Sequence, residues 1–179
     1  MIGFWHPFGA HGLENRDQII LRKRKEIADN KGWTLWSFQN RPQKTLEKWT
    51  KEINKHNQRI FVLCSDSPDA RTPAGKCFYT KKYKAIDTDK WENVPFTVKV
   101  PHPFGKKNTA VAFKVKAIYG PEKIQMPKGI KWLCMNGKWR EDDLPTRGEY
   151  LIKSGKGCKL RKVYQILELK YPYLTVLKK

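Results

Sequence analysis

Two of the four histidines of this 179-residue chain lie five positions apart, and a carboxylate follows three positions later: His6, His11 and Glu14 in "HPFGAHGLE". Imidazoles and a carboxylate at a strand-to-helix junction could bind a metal ion or exchange protons with a substrate. The tetrapeptide "HPFG" recurs at 102–105 and adds His102 as a distant fourth group. With Arg16 or Arg41 stabilising a phosphorane-like transition state, these residues outline a small nuclease or nucleic-acid hydrolase. The paired carboxylates that metal-dependent nucleases use are missing, since the adjacent acids of "REDDL" (140–144) diverge on any regular element. The alternative for the same histidines is turn chemistry: His6-Pro7 with Gly9 and Gly12 leads into a helix, and the imidazoles are packed or solvated. The two copies have different flanks, and a helix follows one and a strand the other. They are therefore similar turns and not a duplication.

Phosphate binding has three candidate surfaces. "KSGKGCKLRK" (153–162) combines two glycines, which turn backbone amides outward, with Lys153, Lys156, Lys159, Arg161 and Lys162. "LRKRK" carries Arg22, Arg24 and Lys25 on a helix, and "TKKYK" carries Lys81 and Lys82; Arg41 is a further single cation. "ARTPAGKC" (70–77) imitates a phosphate loop but has Ala70 at the first position, Cys77 at the last and no helix after it. The hydroxyl that would hold magnesium is absent, so a nucleotide triphosphatase is not expected.

"GWTLWSFQNR" is the most specific aromatic segment. On a strand, Trp33 and Leu35 face one way, and Trp36 shares the other face with Thr34 and Phe38. At least one indole must be core. The other could stack on a base, with Ser37, Gln39 or Asn40 reaching its edge. Trp5 is a further aromatic candidate.

The elements that would position these groups are legible in part. Asn15 and Gln18 stand at capping-box spacing before a helix expected over about 15–31, with Ile19, Ile20, Lys23 and Ile27 on one stripe and Gly32 as its stop. Pro42 opens a second helix in which Leu46, Trp49 and Ile53 recur. Strands are expected at "IGFWHPF", "WTLWSFQ" and "RIFVLCS", the last buried on both faces. Residues 66–95 look like a long surface excursion with a short strand near "KCFYT". Beyond it lie "FTVKV", "AVAFKVKAIYG", "IKWLCM", "GEYLIKS", "KVYQILELK" and "YLTVLKK", with "NGK" (136–138) as a hairpin turn. Cys64 and Cys134 sit in apolar runs as core thiols. No two of the four cysteines stand in a C-x2-C relation, so a zinc knuckle is not expected.

Thirty-seven Lys and Arg against seventeen Asp and Glu give a net charge of +20, beside seven Trp, seven Tyr and eight Phe. Such a chain attracts polyanions, nucleic acid foremost, and carries enough aromatic area for a core. No apolar run is long enough to span a membrane, and no secretory leader is evident, so a cytoplasmic protein is expected.

The order of elements from "GFWHPF" through "WTLWSF" to "RIFVLCSDS", with "AVAFKVKAIYGPEKI" as a closing strand, resembles the PUA-like superfamily and, within it, the EVE domain. "WSFQNR" departs from the EVE pattern around its Trp and following Asn-Tyr. The resemblance implies a pocket holding a modified or flipped base, with Trp33, Trp36, Ser37 and Trp5 as its candidates. The expectation is a single α+β domain, a small curved sheet or barrel with two N-terminal helices packed against it. It would bind DNA or RNA without a cofactor, and a protein partner could supply any catalysis. A basic adaptor for acidic protein is a third possibility.

Overall fold

Asn15 opens the first helix by accepting the Gln18 backbone N–H at 2.9 Å, while the Asn15 N–H donates to the Gln18 side-chain oxygen at 2.8 Å. This box satisfies donors that a helix start otherwise leaves bare. The helix, α1 (Arg16–Asp29), ends ahead of Gly32, whose φ of +82° suits a residue without Cβ. The computed structural model describes residues 2–9, 14–38, 41–66, 78–102, 109–120, 124–125, 130–134, 138–141, 150–153, 162–163 and 165–178. Around α1 the chain forms β1 (Ile2–Phe8), β2 (Thr34–Phe38), α2 (Gln43–Ile53) and β3 (Phe61–Asp66). There follow β4 (Phe78–Tyr79), β5 (Lys82–Ala85), β6 (Glu92–Asn93), β7 (Pro101–His102), β8 (Thr109–Tyr119) and β9 (Ile124–Gln125). The last strands are β10 (Lys131–Leu133), β11 (Trp139–Arg140), β12 (Tyr150–Lys153), β13 (Lys162–Val163) and β14 (Gln165–Lys178).

Ten strands make one mixed sheet along β11-β10-β12-β1-β3-β14-β5-β6, with β8 on the other edge of β14 and β2 beyond β8. β1 and β3 run parallel, and Gly3 is required there: a Cβ at this position would lie 2.5 Å from the Phe61 carbonyl oxygen. Among the described residues no ladder joins β2 back to β1. The fold is thus α+β with two helices, but the sheet is large and open where a small barrel was expected. The edge of β2 is occupied by α1 instead, for Lys23 Nζ donates to the Leu35 carbonyl at 2.7 Å.

The main core lies between this sheet and the helices. Leu46, Trp49 and Ile53 of α2 are buried together with Ile19 and Ile20 of α1, Val62 and Cys64 of β3 and Phe113 of β8. Each such side chain contributes about 1.5–3 kcal/mol by leaving water. Phe4 reaches Phe113 (ring centroids 4.9 Å) and Phe8 reaches Trp36 (4.9 Å), so β1 meets β2 and β8 through side chains.

Three expectations for the chain beyond β3 are corrected. Residues 82–85 are not a surface excursion: β5 pairs with β14 and buries Tyr83. "FTVKV" is a turn followed by irregular chain that buries Val98 and Val100, not a strand. "KVYQILELK" and "YLTVLKK" largely merge into the single strand β14, whose pairing with β8 shifts register between Glu168 and Leu174. No described helix is long and apolar enough to cross a membrane.

Candidate nucleic-acid interface

Strand alternation places Phe4, His6 and Phe8 on the core face of β1 and Trp5 on the other, against Leu63 and Ile152. His6 pairs with Cys64 of β3, and Cys64 pairs with Gln165 of β14. Directly paired residues share a face, so His6, Cys64 and Gln165 form a row spanning about 10 Å across three strands. At the His6 end of this row lies Trp36, whose indole N–H donates to His6 Nε2 at 3.3 Å. Phe8, Phe38 and Phe113 complete the aromatic surroundings, with Phe38 stacked on Phe113 at 4.2 Å.

Gln165 is the anomalous member. It is 1% exposed, and neither its amide nitrogen nor its oxygen has a hydrogen-bond partner among the described residues. A buried carboxamide with two donors and two acceptor sites unmade costs about 1–3 kcal/mol. The sequence carried a faint signal for it: Gln165 is the uncharged polar residue at the head of "QILELK". Cys64 beside it is fully buried, and burial pushes its thiol pKa up, which makes it a poor nucleophile.

The expected base-binding residues do not converge. Trp36 lies beside His6, whereas Trp5 is on the opposite face of β1 and is buried. Trp33 also faces away from Trp36, packed at 5.5 Å on Tyr83 with the Lys114 ammonium 4.3 Å above its ring. Desolvation there lowers the Lys114 pKa, and burial together with the bond to Glu92 raises that of Tyr83. Ser37 is half-buried on the Trp33 side of β2. Period-two alternation forces this division, because neighbours in "WTLWS" cannot line one pocket.

Several expected phosphate ligands are committed to the protein instead. Arg22 grips Glu14 through two 2.7 Å bonds and Glu26 at 2.8 Å. Arg22, expected to hold phosphate, and Glu14, a candidate catalytic carboxylate, are thus held by one another. Arg24 donates to the carbonyls of Ile118 (3.3 Å) and Gly120. Lys25 pairs with Asp29 at 2.7 Å but stays largely exposed, and Lys153 sits 4.0 Å over Trp139. Arg41 lies 5.7 Å over Tyr150, while Lys81 and Lys82 are exposed. His102 belongs through its backbone to the separate β4–β7 ladder, not to the sheet that carries His6. His11, Gln39, Lys156, Lys159 and Arg161 lie outside the described residues.

A buried ionic cluster escaped the sequence entirely, although Lys23 stood on the apolar stripe of α1. Its ammonium donates to Glu26 (2.8 Å), Leu35 O (2.7 Å) and Lys99 O (2.9 Å). Desolvation outweighs the attraction of Glu26 and brings its pKa down to about 8. Glu26 also accepts from Thr34 Oγ1 at 2.5 Å and the Lys99 N–H at 3.1 Å. Among the described residues no three of His, Cys, Asp and Glu are grouped to hold a metal ion.

No protein-family model, curated protein or solved structure matches the chain.

Proposed function

We propose that this chain is a nucleic-acid-binding module that takes up an unpaired, flipped or modified base beside Trp36, with basic surfaces holding the phosphates. The observation that carries the proposal is the buried Gln165 carboxamide, without a hydrogen-bond partner among the described residues, in a row whose other end, His6, meets Trp36, Phe8 and Phe113. A carboxamide offers adjacent donor and acceptor, which is the pattern a nucleobase edge presents, and aromatic rings stack on its faces. Phosphate contacts would fix position and the Gln165 row would select the base. The net charge of +20 supports a polyanionic partner. The order β1-α1-β2-α2-β3 supports a PUA-like reading of the N-terminal half, although the sheet is open and not a closed barrel. The nuclease alternative draws no support from the contacts, since His6 Nε2 is engaged by Trp36 and Glu14 by Arg22.

The test compares a duplex carrying one unpaired base with its fully paired counterpart by fluorescence anisotropy, using wild type and Gln165→Leu. Wild type should prefer the unpaired site by about tenfold, as one or two base-edge hydrogen bonds allow. Gln165→Leu should retain the salt-dependent affinity and lose the preference. Equal preference in both proteins would refute the pocket.

A further inference from the structure

Phe96 is 95% exposed, yet the backbone that bears it is firmly held. It occupies the second position of a turn closed by the Val98 N–H donating to the Pro95 carbonyl at 2.9 Å. Before the turn, the Val94 N–H donates to Lys81 O at 2.8 Å. After it, Val98 and Val100 are buried under β2 and β8, and both backbone groups of Lys99 are bound by the cluster of α1 through Glu26, Lys23 and Arg22. A large apolar ring is thus presented to solvent on a braced turn.

The lysines beside it are exposed, and none takes part in an ion pair among the described residues: Lys81, Lys82 and Lys99. Two carboxylates bonded to or flanking these segments are turned elsewhere, Glu92 to the Tyr83 hydroxyl at 2.6 Å and Glu26 into the buried cluster. An aromatic face near exposed ammonium groups that form no ion pair among the described residues matches the chemistry of a single strand, whose bases stack while its phosphates seek charge.

We propose that Phe96 is a stacking finger that inserts against an unpaired base while Lys81, Lys82 and Lys99 hold the flanking phosphates. This site lies apart from the Gln165 row but rests on the same nucleic-acid reading. It explains why a buried ionic cluster on α1 secures Lys99: the cluster fixes the direction of the finger.

The experiment uses a short single strand containing 2-aminopurine, with wild type, Phe96→Ala and Phe96→Trp. Phe96→Ala should weaken binding about tenfold, in line with the loss of one stacked base, and abolish the change in 2-aminopurine emission. Phe96→Trp should restore both. Because the ring is exposed, these variants keep the fold, which a urea titration checks. Unchanged binding by Phe96→Ala, with wild-type affinity intact, overturns the finger and leaves the Gln165 pocket standing. Failure of wild type to bind any strand at low salt overturns both. Vesicles of phosphatidylserine and phosphatidylcholine form the last arm. Binding to them that needs Phe96, without an effect on the strand, would make the finger a lipid contact and refute the assignment.

Discussion

A single side chain decides between a folded core and a binding pocket here. If Gln165 stands unpartnered until a base arrives, the free protein bears its desolvation cost. Gln165→Leu should then raise stability by about 1–2 kcal/mol in urea unfolding, an unusual sign for a core substitution. A loss of stability would mean that the carboxamide is already well bonded. Lys23 makes the second argument at this scale. Its folded pKa of about 8 lies below the ordinary 10.5, so between these values the unfolded chain binds more protons. Stability therefore rises with pH through this window, by about 1 kcal/mol from pH 8 to 9. The buried Cys64 thiol acts in the opposite sense once the unfolded thiol ionises near pH 9, so the window must stop there. Lys23→Met is less stable overall and should lack this rise.

At the scale of elements, β1 depends on a close approach to β3 and β14 on a change of partners. Gly3→Ala would drive a methyl group into the Phe61 carbonyl, so the pair must separate, at about 1–3 kcal/mol read from the urea midpoint. Along β14, Glu168 sits beside the register shift. It accepts two 2.7 Å bonds from Arg59, one of 2.6 Å from Tyr119, and Lys116 lies 2.9 Å away. Chiefly through Arg59, its pKa falls to about 2. A depressed carboxylate stabilises the fold above pH 4.5 and loses that contribution as pH drops towards 2. Glu168→Gln should flatten the acid limb of a pH–stability curve. These elements differ in how far the sequence disclosed them. The capping box at Asn15, the stripe Leu46–Trp49–Ile53 and the two faces of "WTLWSF" are local patterns, and they hold. The roles of Lys23, of residues 82–85 and of the merged β14 depend on partners far along the chain, which periodicity does not encode.

For the whole molecule, the charge of +20 is not one uniform coat. Arg22, Lys23, Arg24 and Arg59 are bound into the fold, while Lys81, Lys82 and Lys99, exposed on the segments that hold the Phe96 turn, form no ion pair among the described residues. Affinity for a single strand should therefore fall with log salt at a slope of about −2, near −0.7 for each of three phosphate contacts. Removing Lys81 and Lys82 together should bring that slope to about −0.7. The candidate pocket was less legible than the charge, because the sequence offered Trp5, Trp33 and Trp36 as one set and strand alternation separates them. The most direct measurement is the NMR resonance of the Gln165 side-chain amide during titration with a short single strand, alongside an abasic strand of equal length. The pocket requires a downfield shift of the Gln165 NH2 protons with the base-bearing strand alone. An unmoved Gln165 signal, while backbone amides near Lys81 and Lys82 shift with both strands, would contradict it and leave only phosphate binding.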